Sequence, residues 1–250
     1  MDQNQKLNLP SVNRVQFERN TIDTAVCEVR FPTLLDIEQR EPRELQRALR
    51  KRFPHFQTQR LVQSEADSDG PRVRYLFESR KHESKVVLHA SSIAVETNSY
   101  KNFESFSESL IHVVNSALPL IDSDFFTRVG LRYINKVSID DGVIDGWVNA
   151  DLVAPIDTGV LGTLEKYIQE IRGYSECGRY TFRHGIAETN ESKSLEYFFD
   201  FDFYETNVEA SDLQRLATNF NTEIFRFFLW AVGDKVRNKL GTASSKERMG

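Results

Sequence analysis

The sequence predicts an α+β protein with antiparallel or mixed sheets in two halves, each packed by helices, and a long C-terminal helix. Three observations carry this expectation. Strand patterns come in groups joined by turn-like tripeptides, so neighbouring strands run antiparallel. Helical patterns stand between the groups rather than after every strand, which argues against a doubly wound sheet. A strand group followed by a helix occurs at 72–117 and again at 179–240. Together they outline one compact domain at 21–241, with halves of about 21–120 and 121–241. A flexible polar start at 1–20 and a flexible tail at 242–250 flank it.

The first strand is predicted at 24–31, where Ala25, Cys27, Val29 and Phe31 alternate with Glu28 and Arg30. Pro42 then opens a helix, a position where its missing N–H costs nothing. Leu45, Ala48, Leu49 and Phe53 form its apolar stripe, and Pro54 stops it. A turn-rich loop at 64–71 leads to three strands, at 73–78, 85–89 and 93–97, which read as a meander. A helix follows at 103–117, with Phe103, Phe106, Leu110, Val113, Val114 and Ala117 at helical spacing, and Pro119 marks its end.

The longest strand pattern is 125–139. After an Asp- and Gly-rich loop, Leu161, Leu164, Ile168 and Ile171 predict a short helix capped by Gly173. Residues 179–186 and 195–205 predict a hairpin across 187–194. Ser211 then caps a long helix that runs to Gly241. Its middle, 224–232, is apolar nearly all round, which suits a deep core position or a partner interface.

Composition bounds the function. With 32 basic and 37 acidic side chains the net charge is −5, so bulk attraction to nucleic acid or anionic membrane is absent. The aromatic supply is 18 Phe against 2 Trp, which points to rings used as core filler. Cys27 and Cys177 share no C-x-x-C pair and read as reduced, buried thiols. The start of the chain lacks the order of a secretion signal, and no run approaches the roughly 20 apolar residues of a membrane span. A cytoplasmic protein is expected, with no membrane partner.

Familiar enzyme signatures are absent. There is no G-x-S-x-G, no phosphate-cradling glycine loop and no H-E-x-x-H, and no cofactor is implied. Chemistry is sought instead on strand faces. Arg128, Arg132 and Lys136 share one side of the strand 125–139, spaced roughly 7–14 Å apart. Gly130 leaves a gap between the two arginines that a phosphate or carboxylate could enter. The opposite charge lines the strand 195–205, where Glu196, Asp200 and Asp202 share a face. If these strands are neighbours, the two rows neutralise each other. Symmetric closure of the hairpin sets Arg179 opposite Asp202. Asp200 and Asp202 also read as carboxylates for Mg²⁺, given a third ligand such as Glu196 or Glu28. A second basic candidate is the helix bearing Arg43 and Arg47, which either grips a phosphate backbone or is simply solvated.

With these segments in view, the chain resembles a sporadically distributed family of prokaryotic proteins of about this length. The matching motifs are E-V-R-F at 28–31, R-x-G-L-R-Y-I-N from Arg128 to Asn135, the acidic-aromatic strand Asp200-Phe201-Asp202-Phe203, and the Phe-rich closing helix at 220–240. The central motif is the most specific. The resemblance brings no catalytic mechanism, so no residue inherits a role. It implies genes that travel with mobile elements, such as phage-defence or toxin–antitoxin loci. The leading expectation is a non-enzymatic binding or regulatory protein that acts through a protein partner or as a homo-oligomer. Nucleic-acid binding through Arg128, Arg132, Lys136, Arg43 and Arg47 is the first alternative. A metal-dependent nuclease built on Asp200 and Asp202 is the second.

Overall fold

The computed structural model describes residues 5–12, 17–60, 73–139, 142–157, 159–162, 164, 166–187 and 195–241. The predicted loop at 64–71, the hairpin loop at 188–194 and the tail at 242–250 lie outside them. Among the described residues nine strands form one sheet in the order β2-β3-β4-β5-β1-β6-β9-β8-β7, and every strand pair is antiparallel.

The chain follows the same path twice. β1 (Ile22–Arg30) begins at the centre of the sheet. Two short helices, α1 (Asp36–Gln39) and α2 (Arg43–Leu49), carry the chain to the edge strand β2 (His55–Arg60). β3 (Val73–Glu78), β4 (Ser84–His89) and β5 (Ser92–Thr97) then meander back to β1, and the 19-residue helix α3 (Phe103–Ile121) ends the half. β6 (Phe125–Ile139) starts again beside β1. Here α4 (Ala150–Asp157) leads to the opposite edge, β7 (Tyr167–Ser175). β8 (Gly178–Ala187) and β9 (Leu195–Glu209) return to β6, and the 19-residue helix α5 (Leu213–Ala231) follows. A short helix, α6 (Asp234–Leu240), closes the chain.

Strand alternation sorts the sheet into two faces. Ala25, Cys27 and Val29 of β1, Leu131 and Tyr133 of β6, and Phe199, Phe201 and Phe203 of β9 are buried on the helix side. The phenylalanines concentrate under α5. The Phe182 ring lies 4.8 Å from that of Phe201 and 4.5 Å from that of Phe227. Cys27 and Cys177 form no disulfide, and burial pushes the Cys27 thiol up to about 12. No helix among the described residues is long and apolar enough to cross a membrane.

Several elements depart from expectation. The helix expected on Leu161, Leu164, Ile168 and Ile171 does not form: Ile168 and Ile171 belong to the strand β7, and Leu161 and Leu164 lie outside regular structure between α4 and β7. Ile168 and Ile171 are three apart, as on one helix face, yet in the strand they point to opposite sides. Ile171 packs on the core and Ile168 is 50% exposed. The open edge of β8 supplies the hydrogen bonds that decide the matter. β2 was not foreseen, because its polar sequence HFQTQR belongs to an edge and lacks a buried face. α3 extends past Pro119 to Ile121, and a 3₁₀ turn, Ala210–Asp212, stands where Ser211 was expected to cap.

The long C-terminal helix breaks at Val232–Gly233. There the chain pairs with the segment before α4: Gly233 N–H donates to Trp147 O, and Asn149 N–H donates to Ala231 O, both at 2.9 Å.

The described part of the first twenty residues is docked, not loose. Leu7 N–H donates to Tyr174 O at 2.7 Å, and Leu9 is buried. Leu9 O accepts from Arg226 Nη2 at 2.7 Å. Phe17 packs on Phe225, and the Glu18 and Arg19 N–H groups reach Gly241 and Leu240. Leu7 and Leu9 give a single repeat and Phe17 lies eight residues further on, too little to show a period, so the sequence signals only polarity. This segment helps cover α5. The all-round apolar stretch at 224–232 therefore finds its partners within the chain, with Ile224, Phe227 and Ala231 at 3% exposure or less.

Candidate functional site

The central motif R-x-G-L-R-Y-I-N lies in β6, and its alternation aims residues at both faces of the sheet. The face away from the helices receives Arg128, Gly130, Arg132, Ile134 and Lys136. No described helix packs against it.

On this open face the basic and acidic rows are neighbours. β6 pairs with β9 so that Arg132 stands opposite Asp202 and Ile134 opposite Asp200. The Arg132 fork donates to Asp200 through Nε at 2.7 Å and Nη2 at 2.8 Å, a bidentate pair. Arg183 of β8 reaches the same carboxylate from the other side at 3.4 Å and also donates to Glu170 of β7 at 2.5 Å. Glu170 in turn holds Arg172 at 2.6 Å. On the other flank, Arg128 Nη2 donates to both oxygens of Asp202 at 3.2 Å, and Nη1 donates to Glu28 of β1 at 3.3 Å. Glu28 also holds Arg30 at 2.6 Å. One ladder of alternating charge thus crosses five strands, from β1 to β7.

Electrostatics follows from this geometry. The hydrogen bonds from Arg132 to Asp200 raise the Arg132 guanidinium above its ordinary value. Burial pushes the Asp202 carboxyl up, and Arg128 and Arg132 pull it partly back. The hydrogen bond from Arg183 holds Glu170 below the usual carboxylate range.

The gap expected at Gly130 is filled by the motif itself. A Cβ on Gly130 would stand 2.6 Å from Arg128 Nη1, so the Arg128 guanidinium lies across the glycine. It also stacks 4.5 Å from the centroid of the Tyr204 ring. A phosphate entering there would have to displace an arginine already held by two carboxylates. Lys136 is paired as well, with Asp23 at 3.2 Å.

Arg43 and Arg47 are not part of this surface. They lie exposed on α2, whose Leu45 and Leu49 pack into the helix-side core, and Arg47 pairs with Glu44 at 2.9 Å. The two sets of basic candidates therefore do not combine. Asp200 and Asp202 spend their oxygens on arginines. Among the described residues no three His, Cys, Asp or Glu side chains gather as a metal site. The expected hairpin pairing of Arg179 with Asp202 is shifted by two residues. Thr181 stands opposite Asp202, and Arg179 opposite Tyr204.

Sequence reasoning missed the apolar members of this face. Ile168 and Tyr174 of β7 are about half exposed, and Tyr204 and Phe198 of β9 lie beside the ion ladder. It also missed the inward half of the motif. Tyr133 and Asn135 point to the helix side, where they line a cavity with Tyr100 and Asn221. Comparison of the sequence with protein-family models and with curated proteins gives no match.

Proposed function

We propose that this chain is a non-enzymatic binding protein that docks a protein partner on the open face of its sheet. The observation that carries this reading is the ion ladder. Each arginine at its centre is matched by a carboxylate, so the face offers rigid guanidinium groups without a net positive field. A nucleic-acid surface needs unmatched cations to release counterions from phosphates. A protein surface is recognised by pre-organised arginine and tyrosine with apolar neighbours. Arg132, Tyr204, Ile168 and Tyr174 make that combination. The resemblance to a patchily distributed prokaryotic family makes proteins of defence or toxin–antitoxin type, encoded beside this one, the first partners to try.

The test is co-expression with those neighbours, followed by native mass spectrometry and titration of any complex. Arg132→Glu and Ile168→Asp are each expected to weaken the complex by roughly 30-fold, the effect of losing about 2 kcal/mol at an interface centre. Ile168→Asp leaves the ion ladder intact, so it separates a lost contact from a disturbed fold. A complex indifferent to both variants, or no complex with any neighbour, overturns the proposal. Salt-sensitive binding of RNA or DNA, weakened by Arg132→Ala, would replace it with the nucleic-acid reading.

A further inference from the structure

On the helix side of β6, independent of the docking face, lies a cavity of about 510 Å³. Its floor is polar where a sheet core is ordinarily apolar. Asn135 of β6 is 3% exposed and Asn221 of α5 is 8% exposed, and both line the cavity. Each amide is satisfied at one end only. Asn135 Oδ1 accepts from Thr21 Oγ1 at 3.0 Å, and Asn221 Oδ1 accepts from the Tyr133 hydroxyl at 3.1 Å. The Tyr133 hydroxyl also lies 3.3 Å from that of Tyr100. Among the described residues neither amide nitrogen makes a hydrogen bond. Neither belongs to the unpaired polar atoms sealed away from solvent, which among the described residues are His89 Nδ1 and His184 Nε2. Turning either amide over changes which end is unpaired and leaves one end facing the cavity.

The free end of each amide opens into the cavity, where a ligand group with matching hydrogen-bonding capacity takes the place of solvent. The walls say what kind. Phe17, Phe103 and Phe225 present apolar rings, which favour a flat molecule. The charged side chains of the lining, Arg19, Lys101 and Arg226 against Glu18 and Glu104, nearly cancel, so no strongly charged group is called for. The volume is that of a small-ligand pocket. We infer that this cavity binds a planar heterocycle of nucleoside size, held at its hydrogen-bonding ring edge by the side-chain amides of Asn135 and Asn221.

The motif supplies this site directly. Arg132 serves the open face, while Tyr133 and Asn135, one and three positions later, serve the cavity.

The experiment is thermal denaturation and calorimetric titration of the full chain with the common nucleosides and their free bases, each at about 1 mM. At least one is expected to raise Tm, because a ligand that binds only the folded state stabilises it. Separate titration of base and nucleoside shows which is the true occupant. Asn135→Leu is expected to weaken that binding about tenfold or more, the effect of one lost hydrogen bond with its ligand partner left unpaired. The same substitution is expected to leave the unliganded protein as stable as the wild type or more so, since a half-satisfied polar group is replaced by an apolar one of similar volume. Should no nucleoside or base shift Tm, the inference fails. It fails equally if Asn135→Leu destabilises the free protein while leaving affinity unchanged, because the amide is then a structural group.

Discussion

His184 is fully buried on β8, between Phe182 and Tyr197, with its Nδ1 2.7 Å from the Tyr197 hydroxyl and its Nε2 unpaired. Burial pushes its pKa down to about 4. In the unfolded chain the same ring takes up a proton near its ordinary value of 6.5. Between these two values the unfolded state binds more protons, so stability is complete above about 6.5 and falls as pH drops toward 4. The loss from this residue is on the order of 3 kcal/mol by pH 4. Urea denaturation of wild type and His184→Gln at several pH values between 7 and 4 should show a shallower decline in the variant. At this scale the sequence was partly legible. The opposed charge of the two rows, Arg128 and Arg132 against Asp200 and Asp202, could be read because strand alternation fixes which residues share a face. The partners of each arginine could not, since they depend on register, and a hairpin register rests on loop geometry that composition does not encode. The inward role of Asn135 was hidden for a different reason. A buried asparagine looks like any polar residue until its surroundings are assembled in space.

Elements were legible where one face is buried and the other wet. β6 was readable over its whole length because its cation row alternates with Val129, Leu131, Tyr133 and Val137. β7 was not, because its isoleucines at a spacing of three fit a helix equally well. The break between α5 and α6 escaped for a related reason, since Val232 and Val236 continue the apolar stripe straight through it. What stops the helix is a tertiary contact. A Cβ on Gly233 would lie 2.2 Å from the Gly146 carbonyl oxygen and 3.0 Å from the Trp147 carbonyl carbon, both backbone atoms that cannot swing aside. Gly233→Ala is therefore expected to lower stability by about 3 kcal/mol, at the upper end of overpacking costs. Thermal denaturation should show the loss, whereas far-ultraviolet circular dichroism should be nearly unchanged.

At the scale of the whole molecule, the N-terminal residues are held at two places: Leu7 at the β7 edge, and Glu18 and Arg19 at the end of α6. Leu9, close in sequence to the first of these, is 8% exposed, and its carbonyl oxygen accepts from Arg226. Leu9→Ala is expected to cost about 2 kcal/mol, the low end for a buried leucine, because Leu9 lies in a surface stretch that can settle toward the space left behind. A shift in the urea midpoint with an unchanged slope would identify the effect as lost packing alone. The overall class was legible from the order of strand groups and helices. The union of both halves in one sheet was not, because pairing between β1 and β6 joins residues about a hundred positions apart, and only their shared burial in the assembled sheet brings them together.

That central seam has a consequence for how the protein is made. As the chain leaves the ribosome, the first half completes β5, β1 and α3 while β1 still has one side without a strand. The groups left bare are the N–H and C=O groups that later pair with Gly130 and its neighbours. Such an edge invites pairing with other nascent chains. β6 is the next strand to emerge; docking covers the β1 edge and passes the open position to the far edge of β6, which waits for β9. The sheet thus keeps one open edge at its centre from the completion of β5 until β9 has been made.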